Sequence, residues 1–208
     1  MSKLTFYIVD VFAEKKYTGN QLAVFKDTRT LSDTEMQRIA KEMNYSETTF
    51  ILSEEKRNGG YDVRIFTPEE EVPFAGHPTI GTAYVIQQEL IREPIETVIL
   101  NLKIGQVPVT INYSEGRADV LWMKQIAPTF GQIFDAEQIS EVLSIDKEEI
   151  DTRFPIQEVF TGLPFIIVLL KTLDALKQAK INRDKYFELL NFQKIMDTSL
   201  ILWYNSYW

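Results

Sequence analysis

The chain has 208 residues, 45% hydrophobic and 25% charged, a composition that belongs to a folded globular protein with room for one large domain or two small ones. A formal net charge of −8 speaks against a nucleic-acid partner, because a phosphate backbone needs a basic face, and any anionic ligand must be held by local dipoles against the overall field. Cysteine is absent, which removes disulfides, thiolate metal sites and thiol catalysis, and a single histidine cannot build a common zinc site, so acid/base work falls to carboxylates and His77.

Leu4 to Phe12 and Leu22 to Phe25 read as strands of a hairpin-like opening, separated by the polar turn Thr18-Gly19-Asn20, in which Gly19 and Asn20 suit unusual backbone angles. Asp10, an acid inside an apolar strand, reads as a structural hydrogen-bond acceptor. Ser32-Asp33-Thr34-Glu35 is a capping box followed by Met36, Ile39, Ala40 and Met43 at helical spacing, which predicts a helix from about Asp33 to Met43. Asn44 to Leu52 then passes from a helix exit directly into a strand rich in β-branched residues. Glu47 lies at that junction among Ser46, Thr48 and Thr49. It is either a capping or surface acid, or a partly buried carboxyl whose pKa is raised toward neutrality, which would fit it for proton transfer.

Gly60 to Thr67 alternates as a strand, and Glu69, Glu70 and Glu71 read as a solvated charged loop. Next comes a run of small and turn-forming residues, Pro73 to Ala83, that opens onto a helical stretch over Ala83 to Leu90. Pro78 suits a first helical turn, and Gly76 lets the backbone approach a ligand. The free N–H groups and the positive end of the helix dipole make this turn a candidate site for a carboxylate or phosphate. His77 either caps and packs the turn or faces that ligand.

From Thr97 to Gln125, three strand-like runs punctuated by Gly105 and Ser114-Glu115-Gly116 suggest an antiparallel meander. Ala127-Pro128-Thr129 looks like a boundary, and Asp135 to Leu143 reads as a short acidic helix. Thr161 to Leu169 repeats the order of glycine, turn and buried strand seen in Gly19 to Phe25. Amphipathic helices over Asp174 to Ala179 and Arg183 to Leu190 stand where the Ser32-capped helix stood. This is a weak internal repeat in which nothing after Leu190 is expected to match the later strands or the His77 turn. The tail, Leu200 to Trp208, carries four aromatics and no charge and must be buried, paired with another chain, or liable to aggregate. Because the N-terminus lacks a signal-peptide core and the longest apolar run, Phe165 to Leu170, is too short to span a bilayer, the expectation is a cytoplasmic protein with no membrane partner.

Three blocks occur in one order and at one spacing: Asp10-Val11-Phe12 through Gly19 to Phe25; Asn44 to Phe50, containing Ser46-Glu47-Thr48-Thr49-Phe50; and Arg64 to Pro68 through Phe74 to Ala83, containing Ala75-Gly76-His77-Pro78. Together they resemble the PhzF family of phenazine-biosynthesis-like proteins. The resemblance implies an α+β, diaminopimelate-epimerase-like fold: two pseudo-symmetric domains, each a curled mixed sheet around a central helix, with the active site in the cleft between them. It places the first domain at residues 1–126, with Glu47 and His77 and a central helix beginning near Pro78, and a second domain at 127–208. It further implies a cofactor-free and metal-free isomerase similar to trans-2,3-dihydro-3-hydroxyanthranilate isomerase. Glu47 would be the acid/base, with Gly76, His77 and Asn20 seating a small carboxylate substrate; a homodimer is the expected assembly. Two departures are visible. Gly19-Asn20-Gln21 stands where the family has Gly-Asn-Pro, and no second glycine-rich block of the type Asp-Pro-Ala-Thr-Gly-Ser is reached by Trp208. The second copy is therefore expected to be incomplete, through a truncated or frame-shifted reading frame. The alternative function is an inactive family member that only binds or dimerises.

Overall fold

A computed structural model describes residues 3–15, 17–125, 127–161, 164–193 and 199–204. They fall into two compact units, Met1–Gln125 and Ile126–Trp208.

The first unit opens with β1 (Thr5–Val11) and β2 (Asn20–Lys26), paired antiparallel from Thr5↔Lys26 to Val11↔Asn20. Gly19 makes the return into β2 with φ 77°, and a Cβ there would lie 2.3 Å from the Val11 carbonyl oxygen, so the turn requires glycine. Asn20, expected in the turn, already belongs to the strand, and Tyr17 takes the second left-handed position at φ 68°. Asp10 Oδ2 accepts the Tyr17 N–H at 2.9 Å, tying the loop to its strand.

Helix α1 (Asp33–Met43) starts where its capping box places it: Ser32 accepts from the Glu35 N–H, and Glu35 accepts from the Ser32 N–H at 2.8 Å. Such a cap contributes about 1 kcal/mol. Asn44 ends the helix in the left-handed conformation, φ 54°, and the chain enters β3 (Glu47–Ile51) three residues later. β3 lies parallel to β2 with Leu22 opposite Glu47, and β4 (Tyr61–Phe66) returns antiparallel to β3. Strand β2 is covered on both faces, Leu22 and Val24 on one and Ala23 and Phe25 on the other, which is why Leu22 to Phe25 is a continuous apolar run. On one face Met36 and Ala40 of α1 pack over Ala23, Phe25, Phe50 and Phe66, where Phe25 and Phe50 stack at 5.3 Å and Phe66 meets Phe50 edge-on at 5.4 Å.

The other face holds α2 (Gly76–Val85), which carries no charged residue and is buried around most of its circumference. Its hydrophobicity has no strongly preferred side because buried positions surround most of it and the partly exposed Ile80 and Tyr84 carry no charge. After the short β5 (Glu71–Val72), α2 crosses the sheet, and the chain continues through a π-helical turn over Ile86–Ile91 that closes with Arg92 in the left-handed conformation and its N–H on the Gln87 carbonyl at 2.8 Å. The helix expected over Ala83 to Leu90 is present but changes from α to π bonding after Val85, and α2 begins two residues before Pro78. The strands β6 (Thr97–Leu102), β7 (Gly105–Ser114) and β8 (Arg117–Met123) form the expected antiparallel meander, with β6 also parallel to β4. Glu115 and Gly116 both have positive φ, the two-residue hairpin geometry that matches strand twist.

The sheet order is β1-β2-β3-β4-β6-β7-β8, with β5 on β4. Helix α2 touches β1, β2, β3, β6, β7 and β8, so both edge strands reach one helix and the sheet curls around it. A groove of about 620 Å³ runs between the two edges, lined by Val9, Ile80, Tyr84, Ala118 and Leu121 among others; neither Glu47 nor His77 belongs to it. Glu71 departs from the solvated-loop expectation. Its half-hidden carboxylate accepts from Arg64 Nε and Nη2 at 2.8 and 2.7 Å and from Lys103 Nζ at 2.7 Å, because β5 pairs back onto β4 and brings these residues together.

The second unit has the sheet order β12-β11-β10-β9, formed by β9 (Thr129–Phe134), β10 (Ile156–Phe160), β11 (Pro164–Leu170) and β12 (Ser199–Tyr204). Helices α3 (Ala136–Leu143), capped by Asp135, α4 (Leu173–Gln178), capped by Thr172, and α5 (Arg183–Gln193) accompany it. Its core gathers Phe134, Ile139, Leu143, Ile166, Val168 and Leu170. The β10–β11 hairpin, helices and parallel strand β12 repeat the order of β1–β2, α1 and β3. Of the alternatives for the aromatic tail, pairing within its own chain holds over Ser199–Tyr204, with Leu202 packed on the core; β12 takes the place of β3, contrary to the expectation that nothing after Leu190 matches the later strands of the first copy. Gly162 and Leu163 of the predicted glycine turn, and 205–208 of the tail, lie outside the described residues.

Candidate active site

Strands β2 and β3 run parallel, so their first residues, Asn20 and Glu47, come to the same end of the sheet. The N-terminus of α2 arrives at that end and brings His77. The ring of His77 lies between the two: Nδ1 is 3.3 Å from Asn20 Nδ2, and Nε2 is 3.4 Å from Glu47 Oε2. Alternation along β3 turns Thr49 to the same side as Glu47, and its hydroxyl bonds the Thr82 hydroxyl at 2.8 Å, which locks α2 to the strand that carries Glu47. Thr79 adds a bond from its hydroxyl to the Ala75 carbonyl at 2.7 Å.

Both chemical groups are secluded, with side-chain exposures of 9% for His77 and 17% for Glu47. Burial pushes the Glu47 carboxyl above its ordinary value. Burial also pushes the His77 imidazole below its ordinary value, against a smaller opposing pull from the Gln21 backbone carbonyl beside the ring. An ion pair would move the two groups in the opposite directions, so the 3.4 Å contact is one between groups that both favour their neutral forms. Nor is it a formed hydrogen bond. Glu47 Oε2 and His77 Nε2 are each buried with no hydrogen-bond partner among the described residues. Two adjacent buried polar atoms without partners call for a third body to satisfy them.

The α2 N-terminus lies beside them. Its N-cap, Ala75, has extended backbone at φ −152° and no side chain caps the helix, while the Gly76 and His77 N–H groups precede the first bond of the helical ladder, Thr79 N–H to Ala75 carbonyl. A Cβ on Gly76 would meet only Met123 Cε at 3.9 Å, so the backbone there is open to a small group. All four residues expected from the sequence, Asn20, Glu47, Gly76 and His77, are brought to one place. Three contributors were missed: the Gln21 carbonyl, the Thr49–Thr82 lock, and Gly81, whose closeness to β1 and β2 seats α2. Gly81 carried a signal in its position, a glycine in the middle of a helix. Among the described residues, no group of three or more His, Cys, Asp or Glu side chains is placed to hold a metal ion, and no helix is long and apolar enough to cross a membrane.

Comparison with known proteins gives this geometry a context. The chain is 34% identical over 171 residues to the trans-2,3-dihydro-3-hydroxyanthranilate isomerase of Pseudomonas aeruginosa, covering 82% of this chain and 59% of that protein. It is 37% identical over 172 residues to the isomerase of the same name from Pseudomonas chlororaphis, covering 79% and 59%. The chain thus spans about six tenths of the length of these curated relatives. Among solved structures, a phenazine biosynthesis protein of the PhzF family from Bacillus anthracis superposes with a TM-score of 0.83 at 27% identity, over 99% of this chain and 69% of that one. A predicted epimerase from Pseudomonas aeruginosa gives 0.81 at 31% identity, over 94% and 69%. A probable proline racemase from Agrobacterium radiobacter, 12% identical with a TM-score of 0.56, shares the fold alone. The family pattern of phenazine biosynthesis-like proteins matches residues 9–202, and the chain belongs to that PhzF family, with its epimerase-like α+β fold.

Proposed function

We propose that this protein is an isomerase that moves a proton on a small carboxylate-bearing substrate, with Glu47 as the proton carrier and without metal or cofactor. The observation that carries this reading is the pair of buried, unpartnered atoms Glu47 Oε2 and His77 Nε2, side by side at the open N-terminus of α2. A carboxyl raised by burial exchanges protons more readily near neutral pH than an exposed one. The likeness to isomerases of trans-2,3-dihydro-3-hydroxyanthranilate supports a cyclic carboxylate as substrate.

In this mechanism, the substrate carboxylate rests on the Gly76 and His77 N–H groups and the positive end of the α2 dipole, which offsets the chain's net negative charge locally. The Glu47 carboxylate removes a proton from a substrate carbon, the released electron pair shifts along the unsaturated framework, and the same carboxyl returns a proton to a second carbon. Glu47 is regenerated, and substrate and product are isomers. The Thr49–Thr82 bond and the packing of Gly81 hold the proton carrier and the carboxylate seat in register, where a misplacement of about 1 Å can cost on the order of 100-fold in rate.

The test is turnover of trans-2,3-dihydro-3-hydroxyanthranilate by the wild type and by Glu47→Gln, with folding checked by denaturant unfolding. Conversion by the wild type and a loss of about 100-fold or more in the variant is expected for an acid/base residue. Full activity of Glu47→Gln would remove Glu47 from the role, and an inert wild type would refute the substrate.

A further inference from the structure

His77 is the chain's single histidine; its Nδ1 lies 3.3 Å from the side-chain amide nitrogen of Asn20, which donates, and the Gln21 backbone carbonyl lies beside the ring. We infer that Asn20 is a positioning residue that sets the tautomer of His77, holding the ring proton on Nε2 so that the imidazole presents a hydrogen-bond donor beside Glu47. The inference deepens the proton-transfer reading above and rests on it for its catalytic meaning, though not for its chemistry.

Burial disfavours the cation, which leaves the ring two neutral tautomers. With the proton on Nε2, the Nδ1 lone pair receives an N–H of Asn20 at 3.3 Å, and Nε2–H faces Glu47 Oε2 at 3.4 Å, donor toward acceptor. With the proton on Nδ1, Nδ1–H is set against the Asn20 amide hydrogens at 3.3 Å, and Nε2 is satisfied only by a proton from the Glu47 carboxyl. Two donors facing each other in a buried space leave both unsatisfied, at the cost of desolvating each. The first arrangement therefore prevails, with each ring nitrogen facing a complementary group.

The tautomer decides what the site can do. An Nε2–H donor keeps Glu47 in the accepting role and gives the substrate a neutral donor for a carbonyl or carboxylate oxygen. A bare Nε2 would instead demand a proton from Glu47 and hold the carboxyl in its acid form. Glu47 of β3 is the titratable side chain that faces the ring. The Asn20 and Gln21 side chains of β2 do not titrate, and α2 carries no charged residue.

Because there is one histidine, the imidazole nitrogens of uniformly ¹⁵N-labelled full-length protein are assigned without ambiguity by long-range ¹H–¹⁵N correlation. Above the pH at which the ring titrates, the wild type should show a lone-pair nitrogen at Nδ1 and a protonated nitrogen at Nε2. Asn20→Asp, whose carboxylate can only accept, should invert the pattern, and Asn20→Ala should move both nitrogens toward averaged shifts. A wild-type ring protonated at Nδ1 overturns the inference whether or not the variants fold, and so does a ring unchanged in both variants. The readout is independent of turnover. A protein that converts no substrate yet shows these spectra refutes the isomerase reading and leaves the tautomer assignment standing, and the reverse outcome separates them equally.

Discussion

Gly81 offers the sharpest test of how the site is held. A Cβ at this position would lie 2.7 Å from Leu22 Cδ2, 2.8 Å from Val11 Cγ2 and 3.3 Å from Val9 Cγ2, so α2 approaches the β1–β2 hairpin as closely as a glycine allows. Two effects oppose each other in Gly81→Ala. Replacing glycine by alanine inside a helix gains roughly 1 kcal/mol in intrinsic preference. Overpacking a tight core contact costs about 1–3 kcal/mol, and here the upper part of that range applies, because Leu22 is fully buried and the two valines have few rotamers to retreat into. The net expectation is destabilisation by roughly 1–2 kcal/mol, or about 3–8 °C in Tm for a unit of this size. Gly76→Ala in the same helix is the control. Its Cβ meets only Met123 Cε at 3.9 Å, so stability should hold or rise slightly, while a methyl group at the proposed carboxylate seat should weaken substrate binding. Urea unfolding of both variants, followed by circular dichroism, measures the difference. Gly81→Ala as stable as Gly76→Ala would refute the close packing of α2 on the hairpin.

Three further outcomes follow from the same geometry. Thr49→Val or Thr82→Val alone strands a buried hydroxyl and should cost about 1–2 kcal/mol each, whereas the double variant should cost clearly less than the sum, as a double-mutant cycle in urea would show. His77 has a folded pKa below its ordinary value, so its contribution to stability is present above about pH 6.5 and is lost as pH falls through the folded value; His77→Gln should flatten that loss in melts taken from pH 7 down to 5. Glu47 has the opposite sign. Its folded pKa is raised, so the buried carboxylate weakens the fold as pH rises through that value, and Glu47→Gln should be more stable than wild type at pH 8 even as activity is lost. Equal melting of Glu47→Gln and wild type at pH 8 would contradict the burial argument.

The legibility of the chain follows the range of the forces involved. Helix α1 could be read to the residue because a capping box is local: Ser32 and Glu35 are three residues apart and satisfy each other without outside help. The hairpin and the meander were readable from alternation and turn residues, though β2 starts two residues earlier than expected, at Asn20. The π-helical turn after Val85 was not, since it depends on the Gln87–Arg92 bond and the left-handed Arg92 rather than on propensity. Glu71 was misread as loop charge because its partners, Arg64 and Lys103, become neighbours only when β5 folds back on β4. In the site, Glu47 and His77 stood out by residue type and by family resemblance, but their 3.4 Å approach depends on the Leu22↔Glu47 register and on the Thr49–Thr82 lock, neither of which has a local signature. The bond between Asn20 and the ring was invisible for the same reason, 57 residues separating its partners. Strand β12 hid in an aromatic tail because a parallel partner confers no turn signal.

The central claim is that Glu47 carries a proton to and from substrate carbon. Its most direct measurement is the incorporation of solvent deuterium into trans-2,3-dihydro-3-hydroxyanthranilate and its product in D₂O, followed by NMR for wild type and Glu47→Gln. The account predicts deuterium at a ring carbon with the wild type and none above background with the folded variant. Carbon-bound deuterium appearing at an undiminished rate with Glu47→Gln would contradict it.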